Sequence, residues 1–337
     1  MNERISFIDF AKGFSIFAII IYHYCLPLDY GWFFKQVISF GGTGIHLFFF
    51  LSGFGLGLGR KKPILAFYKR RFIKILLPYY IFITSVYVIN IVLPIYPESD
   101  LMTYLSHIFL FKMFFGEYIS SFGYQLWFIS TIVQFYLFFP IMRWINEKFG
   151  HHFFIITAFI SSLAYIIFIS ITGHGAMRVW QSFFLSYYWE FALGFLIATN
   201  QNPTLFINFK TWQYLLVLTI GLILMGVLSS KFGQTGRLFN DFPALFAFTS
   251  FVILVYRVSS KKIFDWLHHF FLSIGSVSYE IYLVHYLFFS IFLLLIKHYQ
   301  ISYSPLHIPF LFLIIWMVSL VFQRFLLRLE NKMKNIN

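Results

Sequence analysis

Apolar stretches of about twenty residues recur along this chain from end to end, each long enough to cross roughly 30 Å of hydrocarbon as a helix. Ten such stretches are read, over residues 5–26, 36–58, 72–94, 126–146, 152–172, 181–199, 212–230, 239–257, 270–296 and 306–327. Backbone polar groups inside a bilayer find no water and must be satisfied by hydrogen bonds along each segment, which selects helices. The expected fold is therefore all-α: a polytopic transmembrane bundle of about ten helices, forming a single domain over residues 1–337. The shorter apolar segment 103–115 (TYLSHIFLFKMFF) is expected to be re-entrant or interfacial. The first stretch ends in LPLDYG without a small-residue cleavage site, so it is expected to stay as a helix of the fold. No internal repeat of fixed period is found.

The balance of residues agrees with a bilayer as the solvent. Hydrophobic residues make up 60% of the 337 and charged ones 11%, too few charges to cover the surface of a soluble domain. The net charge of +13 does not point to nucleic acid, because the basic residues lie between apolar runs rather than on one soluble face. They act instead as topology signals. With the N-terminus inside, only Lys35, Lys112, Arg178, Lys231, Arg237 and Lys297 fall outside, against nineteen Lys and Arg on the inner side. Both termini are thus expected in the cytoplasm. The single Cys25 excludes an intrachain disulfide and a cysteine-based metal cluster.

Ionisable residues within such stretches cost roughly 2.5 to 3.5 kcal/mol each on insertion scales, so they are the first place to look for function. The first helix carries Asp9, Lys12 and His23. Asp9 and Lys12, three apart, can pair on one face. Lys12 and His23 share a face as well, separated by roughly 16 Å along the axis. The plain reading is a snorkelling lysine and a helix-packing histidine. The functional one is an anion held near the cytoplasm and a proton acceptor deeper in, a role imidazole suits because its pKa is near neutrality. Arg71 and Lys74, three apart at the start of the third helix, serve either as a membrane anchor or as a phosphate clamp. In GGTGIHLFFFLSGFGLGLG, the pairs Gly53 with Gly57 and Gly55 with Gly59 have the spacing of close helix contact, whereas His46 and Ser52 are not explained by packing alone. Tyr279, Tyr282, His285 and Tyr286 fall within about 120° on a helical wheel and line a polar face. Glu190 is a further buried acid that needs a partner. Histidine pairs such as His151 with His152 lack metal-ligand spacing on one face, and no metal is expected.

In order, FIDFAKGFSIFAIIIYH, GIHLFFFLSGF, FYKRRFIKILLPYY, LWFIS with FYLFFP, EFALGFLIA and IGSVSYEIYLVH resemble the motifs of the bacterial membrane acyltransferase family three. Members of that family acylate surface and lipid-linked carbohydrates, and the motifs cover nearly the whole chain. The resemblance implies an acyl-CoA-dependent O-acyltransferase of the bacterial cytoplasmic membrane, with acetyl-CoA or another acyl-CoA as donor and membrane lipid around it. The family's basic residue and histidine, with ten positions between them, match Lys12 and His23, His23 then being the base, while Asp9, beside Lys12, is counted with the catalytic residues. The basic motif matches Arg70, Arg71 and Lys74, which with Lys12 and Ser52 are expected to hold the donor. The late motif matches Tyr279, Tyr282 and His285; Tyr282 and His285 are expected to act in catalysis. Trp127, Glu190, Arg237 and Asp241 are the candidate contacts to the acceptor. Ile132 and Val133 stand where many members have a Glu pair, so no carboxylate acts there. The rival reading is a transporter or flippase for a lipid-linked sugar, with Asp9, Lys12, His23 and Glu190 as a substrate or proton pathway.

Overall fold

The structure, a computed structural model, describes residues 3–200 and 203–336, and all regular structure among them is helical. In chain order the α-helices are α1 (Glu3–Cys25), α2 (Trp32–Gly42), α3 (Gly44–Gly57), α4 (Ile64–Arg71), α5 (Leu77–Val92), α6 (Leu101–Ile108), α7 (Trp127–Ile171), α8 (Arg178–Gln181), α9 (Tyr188–Thr199), α10 (Thr211–Phe239), α11 (Asp241–Ser259), α12 (Asp265–Ser276), α13 (Ser278–His298) and α14 (His307–Ile336). Among the described residues, eight helical segments are long and apolar enough to cross a membrane, at 6–25, 32–57, 64–92, 124–171, 211–239, 241–259, 278–298 and 307–333.

Several expected spans are broken where hydropathy carries no signal. The stretch 36–58 bends at Thr43, between α2 and α3, where the hydroxyl bonds back to the Phe40 carbonyl at 2.6 Å. Segments 126–146 and 152–172 form one run, α7, interrupted only at Gly150, whose φ of 85° suits glycine. The expected helix 181–199 is not continuous. Ser182 bonds the Arg178 carbonyl, Phe183 is extended, and only the twelve residues of α9 remain as α-helix, roughly 18 Å of rise. The stretch 270–296 divides at Val277 into α12 and α13. Between α4 and α5, residues Phe72–Leu76 form a π-turn, a local widening often found at functional sites.

The chain forms two compact units: residues 1–23, 30–61 and 137–276, and residues 24–29, 62–136 and 277–337. In the first, glycines set the packing. A Cβ added at Gly53 would lie 1.9 Å from the Phe191 carbonyl oxygen, and one at Gly194 would lie 2.0 Å from that of Phe50. Helices α3 and α9 therefore touch backbone to backbone, as small-residue interfaces allow. Gly55 has nothing within 4 Å, so only the Gly53–Gly57 half of the expected glycine pattern serves contact. Gly13 and Gly275 bring α1 against α12 in the same way.

In the second unit tyrosine hydroxyls tie helices to carbonyls of other segments. Tyr279 donates to Ile75, Tyr282 to Gln125, Tyr24 to His285 and Tyr303 to Tyr24, all between 2.7 and 2.8 Å.

Candidate functional site

Helix α1 is unbroken from Glu3 to Cys25, so the phase between Lys12 and His23 read from the sequence holds along it. Lys12 Nζ lies 3.5 Å from Asp9 Oδ1, both side chains about one-third exposed. His23, in the last turn, is 7% exposed. Lysine and histidine thus sit on the same helix, one near its middle and accessible, the other in its last turn and enclosed.

The basic stretch is reorganised by the π-turn. Arg71 closes α4 and Lys74 lies inside the turn, so the three-residue spacing no longer places them on one α-helical face. Arg70 and Lys74 are exposed. Arg71 is half-buried, its guanidinium 5.0 Å from the Tyr136 ring centre and 5.6 Å from that of Phe67. Stacking of this kind orients the planar fork. Its Nε is buried without a hydrogen-bond partner among the described residues. Ser52 is half-buried on α3.

Contact between α3 and α9 places His46 beside Glu190. His46 Nδ1 is 2.8 Å from Glu190 Oε1, and its Nε2 is 3.4 Å from Asp241 Oδ1 at the start of α11. Glu190 is completely enclosed, and its second oxygen, Oε2, has no hydrogen-bond partner among the described residues. Two contacts between imidazole and carboxylate need two hydrogens shared among three titratable groups. The sequence flags His46 only as polar and unexplained, yet it is the residue that joins the two expected acceptor contacts. Arg237 does not join them: it is exposed on α10.

On α13, Tyr282 is 7% exposed and His285 fully buried. The Tyr282 hydroxyl donates to the Gln125 carbonyl, and His285 Nδ1 lies 2.8 Å from the Tyr282 carbonyl and 3.2 Å from that of Ile281. These donors point at backbone oxygens. Trp127 opens α7, 8% exposed, packed edge-on against Phe128.

No group of three metal-ligating side chains converges among the described residues. Searches against curated proteins and against solved structures each gave no match. A family profile described as an acyltransferase domain matches residues 5–324. That match takes in every candidate residue from Asp9 to His285, and the chain belongs to membrane acyltransferase family three.

Proposed function

We propose that this acyltransferase moves a short acyl group from acyl-CoA to a hydroxyl of a cell-surface or lipid-linked carbohydrate, in the bacterial cytoplasmic membrane. The observation that carries the reading is the unbroken helix α1, which holds an accessible, Asp9-paired Lys12 and an enclosed His23 on one track. Arg70, Arg71 and Lys74, with Lys12 and Ser52, hold the phosphates and the pantetheine arm of the donor. Arg71, oriented by Tyr136 and Phe67, is the best prepared of them to fork onto a phosphate.

In the reaction His23 takes the proton of the acceptor hydroxyl as the oxygen attacks the thioester carbonyl. A C–O bond forms, the C–S bond breaks, and the proton held by His23 passes to the departing thiolate. Negative charge develops on the carbonyl oxygen and needs donors. Tyr282 and His285 supply them on exchanging a backbone carbonyl for the oxyanion. Glu190 and Asp241, bridged by His46, accept hydrogen bonds from the carbohydrate, with Trp127 and Arg237 as further contacts.

The test uses purified protein in detergent with labelled acetyl-CoA and lipid-linked or free glycans. His23→Ala is expected to fold and bind CoA but to lower transfer by about 10²- to 10⁴-fold, the usual worth of a general base. Retained transfer removes His23 from the mechanism. Absence of any saturable CoA binding in the wild type ends the acyl-CoA reading and favours transport.

A further inference from the structure

The segment between Val92 and Tyr124 lies outside the eight long apolar helices, yet it carries enclosed polar groups that acyl transfer through His23 leaves unused. Lys112 is 0% exposed, and its Nζ makes one hydrogen bond among the described residues, to the Leu126 carbonyl at 3.2 Å. An ammonium group has three donors. Burial pushes its pKa down to about 7, so both forms of the amine are present near neutrality.

One position before Leu126, Gln125 is 3% exposed. Its amide nitrogen reaches the Leu283 carbonyl only at 3.5 Å, and its Oε1 is buried with no hydrogen-bond partner among the described residues. A Cβ at Gly123, whose φ is 134°, would meet that Oε1 at 2.5 Å, so glycine there makes room for the amide. Leu110 and Phe122 also have positive φ, at 61° and 53°. Bulky residues rarely hold that conformation unless the surroundings impose it.

His107 supplies no counter-charge. The Ser121 hydroxyl gives its hydrogen to the Tyr118 carbonyl, so its oxygen accepts from His107 Nε2–H, and Nδ1 accepts from the Tyr79 hydroxyl at 2.6 Å. This is a neutral imidazole with both nitrogens engaged. Burial and the charge of Lys112 hold its pKa well below the usual range.

Lys112, a donor with unused hydrogens, thus bonds the residue next to Gln125, whose Oε1 is an acceptor with no donor among the described residues. A carboxylate ligand would suit the amine but meet the Gln125 oxygen unfavourably; hydrocarbon would satisfy neither. A hydroxyl, which both accepts and donates, matches the pair. We propose that Lys112 and Gln125 form a subsite for a hydroxyl of a polyhydroxylated ligand, the amine donating to its oxygen and Gln125 Oε1 taking its hydrogen. This rests on the reading that the acceptor is a carbohydrate, and it names two residues that hold that acceptor.

The full chain in detergent is exposed to trace acetic anhydride between about pH 5 and about pH 9, with modification of Lys112 read by mass spectrometry. Methyl glycosides or acetyl-CoA are present or absent. Lys112 is expected to become reactive around its pKa of about 7. Glycosides are expected to lower its labelling about tenfold while the exposed Lys61 is unaffected. An amine inert at every pH, no protection by any glycoside, or protection by acetyl-CoA alone overturns the subsite. Lys112→Met is expected to raise the KM for the glycoside about tenfold, with partial recovery in Lys112→Gln, which keeps a donor. An unchanged KM also overturns it. The labelling needs no turnover, so a wild type that fails to use acyl-CoA sinks the transfer reading without deciding the subsite.

Discussion

Two buried histidines, one in each unit, are held in opposite ways. His46 stands between Glu190 and Asp241, at 2.8 and 3.4 Å, and its surroundings are carboxylates. His107 stands between the hydroxyls of Tyr79 and Ser121, at 2.6 and 2.8 Å, with the Lys112 amine exerting its charge nearby. The difference shows what burial does to the same side chain. Between acids, an imidazole organises hydrogens for two other titratable groups, and its loss strands them. Between hydroxyls, the imidazole stays neutral, and the Ser121 hydroxyl has a second partner in the Tyr118 carbonyl.

The largest consequence is expected at His46. His46→Leu leaves the enclosed Glu190 and the part-buried Asp241 without their common partner, at a cost of about 3–5 kcal/mol, measured as thermal unfolding in detergent. A loss no greater than that of His107→Leu would erase the distinction. Next comes the frame that holds the acid-bound histidine. Gly53→Ala forces a methyl against the Phe191 carbonyl and is expected to cost about 1–3 kcal/mol, whereas Gly55→Ala, in open space, should be neutral or slightly stabilising by the same assay. Equal effects at the two glycines would show that α3 and α9 are not in backbone contact.

The smallest effect concerns pH. His107 and Lys112 both have folded pKa values below their unfolded ones. The unfolded chain therefore binds more protons, and stability rises with pH. For His107 the contribution is complete above the ordinary imidazole value of 6.5 and is lost as pH falls below it. For Lys112 the rise runs from about 7 toward 10.5. Melting temperatures of His107→Leu should depend less on acid than those of the wild type, and those of Lys112→Met should rise less above neutrality. Identical slopes would mean that neither group is enclosed in solution.

How far the site could be read before the structure depended on sequence separation. The Asp9–Lys12 pair is local, three residues apart on one helix, and the spacing sufficed. So did the shared face of Tyr282 and His285. The partner of Glu190 did not follow, because His46 is 144 residues away and meets it only where Gly53 and Gly194 let α3 and α9 touch. Arg237, read as a further contact to the acceptor, is exposed on α10. Lys112 reads as an outer loop cation, and the structure encloses it entirely. Nothing in its neighbourhood of Phe and Met distinguishes a lysine that snorkels from one that is sealed in.

Apolar length and helical period were enough to dictate an all-helical chain with long apolar segments, since a backbone without water has so few ways to satisfy its hydrogen bonds. The order of local motifs was enough to point to the acyltransferase family that the profile match bears out. Where helices break, at Thr43, Gly150, Ser182 and Val277, and which distant side chains share a proton or a hydroxyl, was decided by packing. Those outcomes turn on single backbone angles and on contacts between residues far apart in the chain, and hydropathy, which averages over a window, is blind to both.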